Sequence, residues 1–194
     1  MEVLMERMAK IGPKLFALHY KLDTSLADFE KFPLRLSDLI VVDVNPEVFP
    51  EKIVWSSSKP MKGVPLFGLS GDLVYEPMWI SDNYVPYMQT VMYVDPSGRG
   101  EDETAVCIAS FVNGYVVIHE LIGYAGGYEK GILKKIARLA YDYNVSMIKV
   151  ESNFGDAMVC QLLAPIVYDI CGQVAIEDYR VSGRKEARII AALE

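Results

Sequence analysis

Two hydrophobic strands that each end in a carboxylate constrain the fold of this 194-residue chain most strongly. Residues 91–94 lead into Asp95, which is followed by Pro96 and a Ser-Gly-Arg-Gly turn, and residues 147–150 lead into Glu151. A proline restricts the backbone of the residue before it, so Asp95 is held at the rim of a sheet with little freedom. Carboxylate oxygens are hard ligands that suit Mg²⁺ or Mn²⁺. The sequence therefore predicts a metal site formed by two strand ends.

Composition narrows the class of protein. Apolar residues make up 52% of the chain, enough to fill the core of a single domain. The net charge of −7 argues against a free-standing, tight nucleic-acid binder but leaves weak or tethered DNA contact open. The three cysteines form no CxxC pair, which argues against a disulfide framework or a zinc site and favours a reducing, cytoplasmic setting. No long apolar run or signal-peptide pattern occurs, so secretion and membrane insertion are not expected.

The second half of the chain shows a regular order of elements. Strands are predicted over residues 91–95, 104–111 and 115–122, and Asn113-Gly114 is a strong hairpin signal between the last two. Apolar residues at helical spacing predict a crossover helix over residues 128–143. A strand over 147–151, a helix over 156–169, a strand over 173–179 and a helix from 184 complete the pattern. The predicted order is βββ-α-β-α-β-α, an α/β fold with a mixed sheet.

The first half is less regular. Residues 1–88 contain six prolines between residues 33 and 77, separated by short apolar clusters and turn signals. One helix is expected near the start, although Gly12-Pro13 interrupts its period. We expect an irregular N-terminal extension that precedes a domain over residues 89–194.

Several motifs resemble one known family. The segments VDPSGRGEDET, GGY, ESNFGDAM and GRKEARI resemble the nuclease domain of the terminase large subunit of tailed bacteriophages, in particular the short-tailed, T7-like DNA maturase group. The resemblance covers residues 85–194 and implies a ribonuclease H-like fold. A weaker resemblance, through FALHYKLDTS and FEKFPLRLSDLIV, makes residues 1–88 similar to the end of that family's ATPase domain and its linker. No phosphate-binding loop of the G-x-x-x-x-G-K-[ST] type occurs in the chain, so the motor itself is not expected here.

The resemblance also implies a function. It implies a metal-dependent endonuclease that cuts concatemeric double-stranded viral DNA during packaging, with two Mg²⁺ or Mn²⁺ ions as cofactors. The implied partners are double-stranded DNA, the terminase small subunit and the portal protein, in the host cytoplasm and without a membrane.

The same resemblance implies roles for individual acids. Asp95 would be shared by the two metal ions, Glu151 would be a second ligand, and Asp102 would have an accessory catalytic role. Asp156 is included among the metal ligands. From residue type alone, Asp95 and Asp102 can also be turn acids and Glu151 a solvated strand end. Asp156 can stabilise a helix N-terminus.

The candidate DNA contacts are basic. Arg99 lies in the turn after Asp95, and Arg184 and Lys185 follow Gly183, so each can meet a DNA phosphate. Solvated surface charge is the alternative for all three. His119 has no second histidine near it in sequence and is interpreted as a structural residue.

Two other classes of protein remain open. The family places a third carboxylate beyond the GRKEARI segment, and the chain ends at Glu194, so we expect an incomplete catalytic set and little cleavage from these residues alone. A non-catalytic module that couples the motor to the portal is therefore one alternative. An actin-like nucleotide-binding domain is the other, although the second phosphate loop that it needs is absent from the sequence.

Overall fold

The computed structural model describes residues 36–56, 58–64, 72–98, 102–153, 157–183 and 189. The segments Val42–Val54 and Met78–Ser182 form one compact unit, and the other described residues belong to a second unit. The described part of the second unit includes a 3-10 turn at Leu36–Asp38 and two isolated bridges, in which Ile40 and Pro60 both pair with Tyr75.

The first unit contains the β-strands and α-helices of the described residues. In chain order these are β1 (Val48–Pro50), β2 (Ile53–Val54), β3 (Trp79–Ile80), β4 (Tyr84–Pro86), β5 (Gln89–Asp95), β6 (Glu103–Val112), β7 (Tyr115–Ala125), α1 (Lys130–Asp142), β8 (Met147–Glu151), α2 (Met158–Cys171) and β9 (Ala175–Tyr179). Among the described residues, no helix is long and apolar enough to cross a bilayer.

A five-stranded mixed sheet organises this unit. Its strand order is β7-β6-β5-β8-β9. Strands β5, β6 and β7 are antiparallel neighbours, whereas β8 pairs in parallel with both β5 and β9. The sheet therefore joins an antiparallel meander to two parallel strands, which require crossover connections. α1 and α2 supply those connections.

The hairpin between β6 and β7 follows from its two loop residues. Asn113 and Gly114 both have positive φ, 47° and 81°, as a two-residue primed turn requires. Further along the hairpin the register shifts, because Ile108 pairs with Glu120 while Ala109 pairs with Ile118. His119 is left unpaired in a β-bulge, and a bulge changes the direction of the side chains next to it.

Both helices pack on one face of the sheet. In α1, the buried residues are Ile132, Leu133, Ile136, Ala137 and Ala140. They share a core with Val159, Leu163 and Val167 of α2 and with alternate residues of the three central strands. The last turn of α1 closes at Asn144, which has a left-handed backbone (φ 48°), and the Val145 amide donates to the Ala140 carbonyl at 2.9 Å. This face is the helix face of the sheet, and the opposite face is here called the open face.

Short strands occupy part of the N-terminal extension. β1 pairs with β4 and β2 with β3, both antiparallel. Phe49 of β1 shares a small core with Val112 and Val117 of the long hairpin. Within the described residues the extension therefore consists of short strands and irregular chain.

The predicted α/β fold and mixed sheet are confirmed. The element order from β5 through β9 is as predicted, with predicted bounds that differ from the observed ones by at most three residues, whereas the short strands β1 to β4 were not predicted. The predicted crossover helix began two residues early, at 128, because Tyr128 belongs to the turn before α1 and Glu129 is its N-cap. The helices predicted near the start of the chain and from residue 184 lie outside the described residues, apart from Ile189.

Candidate active site at the carboxyl ends of two parallel strands

Asp95 and Glu151 end neighbouring parallel strands at the same level. The register between β5 and β8 pairs Val94 with Val150, and the two acids are the next residue on each of these adjacent strands. Adjacent strands lie about 4.8 Å apart. Val94 and Val150 are buried in the core on the helix face, so strand alternation places both carboxylates on the open face. The two acids are therefore side by side at one edge, and Asp95 is exposed while Glu151 is half-buried.

The chain after Asp95 is held by a buried polar network. The Ser97 amide donates to the Thr104 hydroxyl oxygen at 3.1 Å, and the two hydroxyls lie 3.2 Å apart. The Thr104 hydroxyl in turn donates to the Gly127 carbonyl at 2.9 Å. Ser97 and Thr104 are both buried. Because the turn at Gly127 immediately precedes α1, this network ties the turn after Asp95 to the crossover connection.

A close backbone contact explains why the turn before α1 contains glycine. Gly127 has φ +63°, and a Cβ added there would lie 2.7 Å from the Gly98 carbonyl oxygen. A side chain at this position would displace the backbone just after Asp95. The GGY motif is therefore part of the support for the candidate site.

The chain after Glu151 is held in a similar way. Both the amide and the hydroxyl of Ser152 donate to the Tyr179 carbonyl, at 2.9 and 3.2 Å. The Asn153 side-chain amide donates to the Val181 carbonyl at 2.9 Å, and its oxygen accepts from the Val181 amide at 3.0 Å. Asn153 thus continues the pairing of β8 with the chain after β9. Ser152 and Asn153 of the ESN sequence therefore fix the backbone that follows Glu151.

Asp102 lies further from the pair. Asp95 pairs with Ala105, so the antiparallel register, continued outward, places Asp102 three positions beyond Asp95, about 10 Å along the strand direction. Its accessory role stays a prediction. Asp156, Arg99, Arg184 and Lys185, the other residues assigned from the sequence, lie outside the described residues.

Glu103 is an acid near the candidate site that was not predicted from the sequence. It begins β6 two residues before Ala105, the partner of Asp95, so strand alternation places it on the open face. Its carboxylate lies over Gly123 of β7, where a Cβ would overlap it. The period-two pattern of residues 103–112 was the signal that could have identified it. In this position the carboxylate is directed toward β7.

Several other side chains share the open face near the acids. Lys149 lies two residues before Glu151, and its ammonium is 3.3 Å from a carboxylate oxygen of Glu177 on β9. The rings of Tyr93 and Tyr179 are perpendicular, with centroids 6.4 Å apart. Within the described residues, no group of three or more His, Cys, Asp or Glu side chains is arranged to hold a metal ion. The described donor set is thus a pair of carboxylates, and Mg²⁺ commonly binds to one or two protein carboxylates together with substrate phosphates and water.

A second polar cluster, here called the bulge cluster, lies on the helix face. The His119 ring nitrogen is 2.8 Å from the Ser110 hydroxyl, and the Tyr143 hydroxyl donates to Glu120 at 2.6 Å. Burial lowers the pKa of His119 despite the opposing charge of Glu120. The hydrogen bond to Glu120, followed by burial, raises the pKa of Tyr143 to about 12. His119 is thus satisfied by its neighbours, in line with its interpretation as a structural residue.

The cysteines lack the features of nucleophiles. Burial raises the pKa of the Cys107, Cys160 and Cys171 thiols, and for Cys160 the charge of Asp178 adds to this effect. A raised pKa disfavours the reactive thiolate. The described residues therefore offer carboxylates, not a thiolate, as the chemical groups of the candidate site.

Taken with the sheet order, the paired strand-end acids define this part of the chain as a ribonuclease H-like domain. Residues 94–194 match the family described as Terminase Bacteriophage T7, Ribonuclease H-like domain. The chain is 36% identical over 196 residues to the terminase large subunit of Enterobacteria phage T3. That alignment spans all of this chain but 33% of the relative, so the chain corresponds to about a third of the relative's length. The chain belongs to the T7 terminase ribonuclease H-like family.

Solved structures with a similar fold include two terminase nuclease domains. The nuclease domain of the large terminase subunit of bacterial virus Sf6 aligns with 16% identity and a TM-score of 0.38, covering 52% of this chain and 42% of that one. The human cytomegalovirus terminase nuclease domain, soaked with manganese and bound to an inhibitor, aligns with 14% identity and a TM-score of 0.40. It covers 55% of this chain and 58% of that chain.

Proposed function

We propose that this chain carries the metal-dependent endonuclease domain of a phage DNA-packaging terminase, which cuts concatemeric double-stranded viral DNA in the host cytoplasm. The observation that carries the proposal is the placement of Asp95 and Glu151 side by side at the ends of β5 and β8. Membership of the terminase family supplies the substrate class. In this proposal residues 89–194 form the nuclease domain and residues 1–88 correspond to the end of the ATPase domain and its linker.

The proposed cofactor is a pair of Mg²⁺ or Mn²⁺ ions. Asp95 and Glu151 would hold them, with Asp156 as a further ligand. When bound, such ions activate water and stabilise the charge that develops on the oxygens of an in-line displacement at phosphorus. The two described carboxylates suit a hard cation, because they are fixed by rigid neighbouring strands.

The surrounding residues would position these groups and the substrate. The Ser97–Thr104–Gly127 network and the Ser152 and Asn153 contacts hold the backbone on which the two acids are mounted. Asp102 would take an accessory role. Arg99, Arg184 and Lys185 would contact DNA phosphates, and the terminase small subunit and portal protein would be the partners of the parent protein.

Plasmid cleavage tests the proposal. We would measure nicking of supercoiled DNA in Mn²⁺ and in Mg²⁺, with EDTA as a control, for this chain and for a full-length terminase subunit that carries it. Asp95→Asn and Glu151→Ala should each reduce cleavage by about a thousandfold, because several kcal/mol of charge stabilisation would be lost. Asp169→Asn removes an exposed carboxylate from α2 and should leave the rate unchanged.

The outcomes separate the proposal from its alternative. Cleavage that depends on metal and on both acids supports the nuclease, and cleavage only in the full-length subunit also places further ligands outside this chain. If the full-length subunit with Asp95→Asn cuts DNA at the unaltered rate, the catalytic assignment is wrong. If neither protein cuts DNA with any metal, the chain is better explained as an interaction module between motor and portal.

A further inference from the structure

Among the residues of the five-stranded sheet, Lys149 is the single Lys or Arg. It lies on β8 between Ile148 and Val150, which are both fully buried against the helices, so its side chain emerges on the open face. Glu151 is the next residue of β8 on that same face. The one lysine or arginine of the sheet is therefore adjacent to the candidate site.

The distance from Lys149 to the acids is within the reach of its side chain. Positions 149 and 151 are about 6.6 Å apart along the strand, given a rise of about 3.3 Å per residue. The lysine ammonium is a compact charge at the end of a flexible four-carbon stem. Because lysine side chains in strands can lean along the strand direction, the ammonium can turn toward the carboxylate pair without any change in the backbone.

The present partner of Lys149 is weakly held. Its ammonium lies 3.3 Å from Glu177, and the two side chains are 33% and 53% exposed. An ion pair that water reaches from both sides contributes little and is easily exchanged. Glu177 therefore holds the ammonium near the site without preventing it from binding another anion.

The negative charge of the open face makes a nearby ammonium useful for binding a phosphate. Besides Asp95 and Glu151, the strands place Glu103 and Glu177 on this face. A DNA phosphate that approaches meets these negative charges, and bound metal ions offset only part of them. An ammonium beside the acids supplies an additional donor to a non-bridging phosphate oxygen.

We infer that Lys149 is a phosphate-binding residue of the candidate site, which exchanges its ion pair with Glu177 for a hydrogen bond to a phosphate of the DNA backbone. The inference rests on the proposed function, since it takes the strand-end acids to be the centre to which DNA is bound. Lys149 would contact the substrate and not the metal ions. Its removal should therefore weaken DNA binding while metal binding is retained.

DNA affinity of the 194-residue chain tests this role without requiring cleavage. We would measure binding of a short fluorescent duplex by anisotropy over a range of salt concentrations in Ca²⁺, which takes the same hard oxygen ligands as Mg²⁺. Lys149→Met should weaken binding about tenfold, and the slope of log affinity against log salt should fall by about 1. Lys149→Arg should retain most of the affinity, and Ca²⁺ binding measured by calorimetry should be unchanged.

Two matched variants separate phosphate binding from a structural ion pair. Glu177→Gln breaks the same pair but leaves the ammonium in place, so DNA affinity should stay the same or increase. Lys134→Met removes an exposed lysine from α1, on the other side of the sheet, and should have a much smaller effect. If Lys149→Met and Glu177→Gln weaken DNA binding equally, Lys149 is only a structural partner and the inference is overturned.

The inference and the proposed function can fail separately. If Asp95→Asn removes the Ca²⁺-dependent part of DNA binding but Lys149→Met binds as the unaltered chain does, only the role of Lys149 is overturned. If neither the unaltered chain nor a full-length subunit that carries it shows metal-dependent DNA binding, the proposed function is overturned, and the role of Lys149 with it.

Discussion

The strand-end acids and the bulge cluster place ionisable groups on opposite faces of one sheet, but their hydrogen bonds differ. In the bulge cluster, side chains bond to one another: Tyr143 to Glu120, His119 to Ser110, and Ser110 to Thr90 at 2.7 Å. Around Asp95 and Glu151, polar side chains bond mainly to backbone groups of the adjoining loops. The first arrangement stabilises the fold, whereas the second fixes the backbone that presents two carboxylates. The candidate site thus differs from the bulge cluster in its hydrogen-bond partners, which are mainly backbone groups, more than in its number of acids.

Gly127→Ala should have the largest effect on stability. The new Cβ would meet the Gly98 carbonyl oxygen at 2.7 Å, in a backbone with φ +63°, and we expect a loss of about 2–3 kcal/mol in the free energy of unfolding. Urea denaturation would measure it. Gly131→Ala is the control, because it lies within α1 with open space around its Cβ and should stabilise by about 0.5–1 kcal/mol. Equal stability of the two variants would show that the turn can adapt and does not support the site rigidly.

Thr104→Val should lower the free energy of unfolding by about 2 kcal/mol, somewhat less than Gly127→Ala. The substitution keeps the shape of the side chain, but the Ser97 amide loses its hydroxyl acceptor and the Gly127 carbonyl loses its donor. We also expect metal-dependent cleavage to fall, since the chain after Asp95 loses its anchor. Thr104→Ser keeps the hydroxyl and should preserve most of both properties. A Val variant that loses stability but keeps the full cleavage rate would argue that the network stabilises the fold alone.

Tyr143→Phe tests the bulge cluster, which lies on the helix face of the sheet. It removes the 2.6 Å hydrogen bond to Glu120, and because the pair is partly exposed we expect a loss of about 1 kcal/mol. Cleavage should not change, as the bulge cluster has no role in the proposed chemistry. Tyr141→Phe, at an exposed position in the last turn of α1, is the control for both measurements. A lower cleavage rate with unchanged stability would contradict the division between the two clusters.

The smallest effect is expected from the titration of His119. Burial lowers the pKa of His119 below its ordinary value of 6.5, so the unfolded chain takes up the proton first as the pH falls. The stabilisation is complete above pH 6.5 and is lost progressively between 6.5 and the lower pKa of the folded state. His119→Gln should flatten the dependence of unfolding free energy on pH from about 7 to 5. An unchanged slope in the variant would assign that titration to other groups.

Sequence periodicity predicted most of this fold, and the reasons are local. The Asn-Gly turn, the apolar stripe of α1 and the acid-ended strands each follow from residues that are close in sequence. The bulge at His119 was not predicted, because neither strand carries a local signal for an extra residue. The start of α1 was misplaced because the predicted helix included Tyr128, which belongs to the preceding turn.

The candidate site was only partly predictable for a related reason. The proximity of Asp95 and Glu151 could be expected from two acid-ended strands and the resemblance to the terminase family. The positions of Glu103 and Lys149 depend on which strand face is covered by helices, and that is decided by packing between distant segments. The contact of Gly127 with Gly98 could not be predicted either, since no local sequence pattern indicates that these two backbone segments meet.

The separation of the two acids along the chain has a consequence during synthesis. β6, β7 and α1 all lie between Asp95 and Glu151, so a nascent chain that has emerged only as far as α1 has one carboxylate in place and not its neighbour. The pair exists only after β8 has added alongside β5. If the acids cut DNA as proposed, a partly translated chain cannot cut the genome that encodes it, and the delay comes from strand order alone.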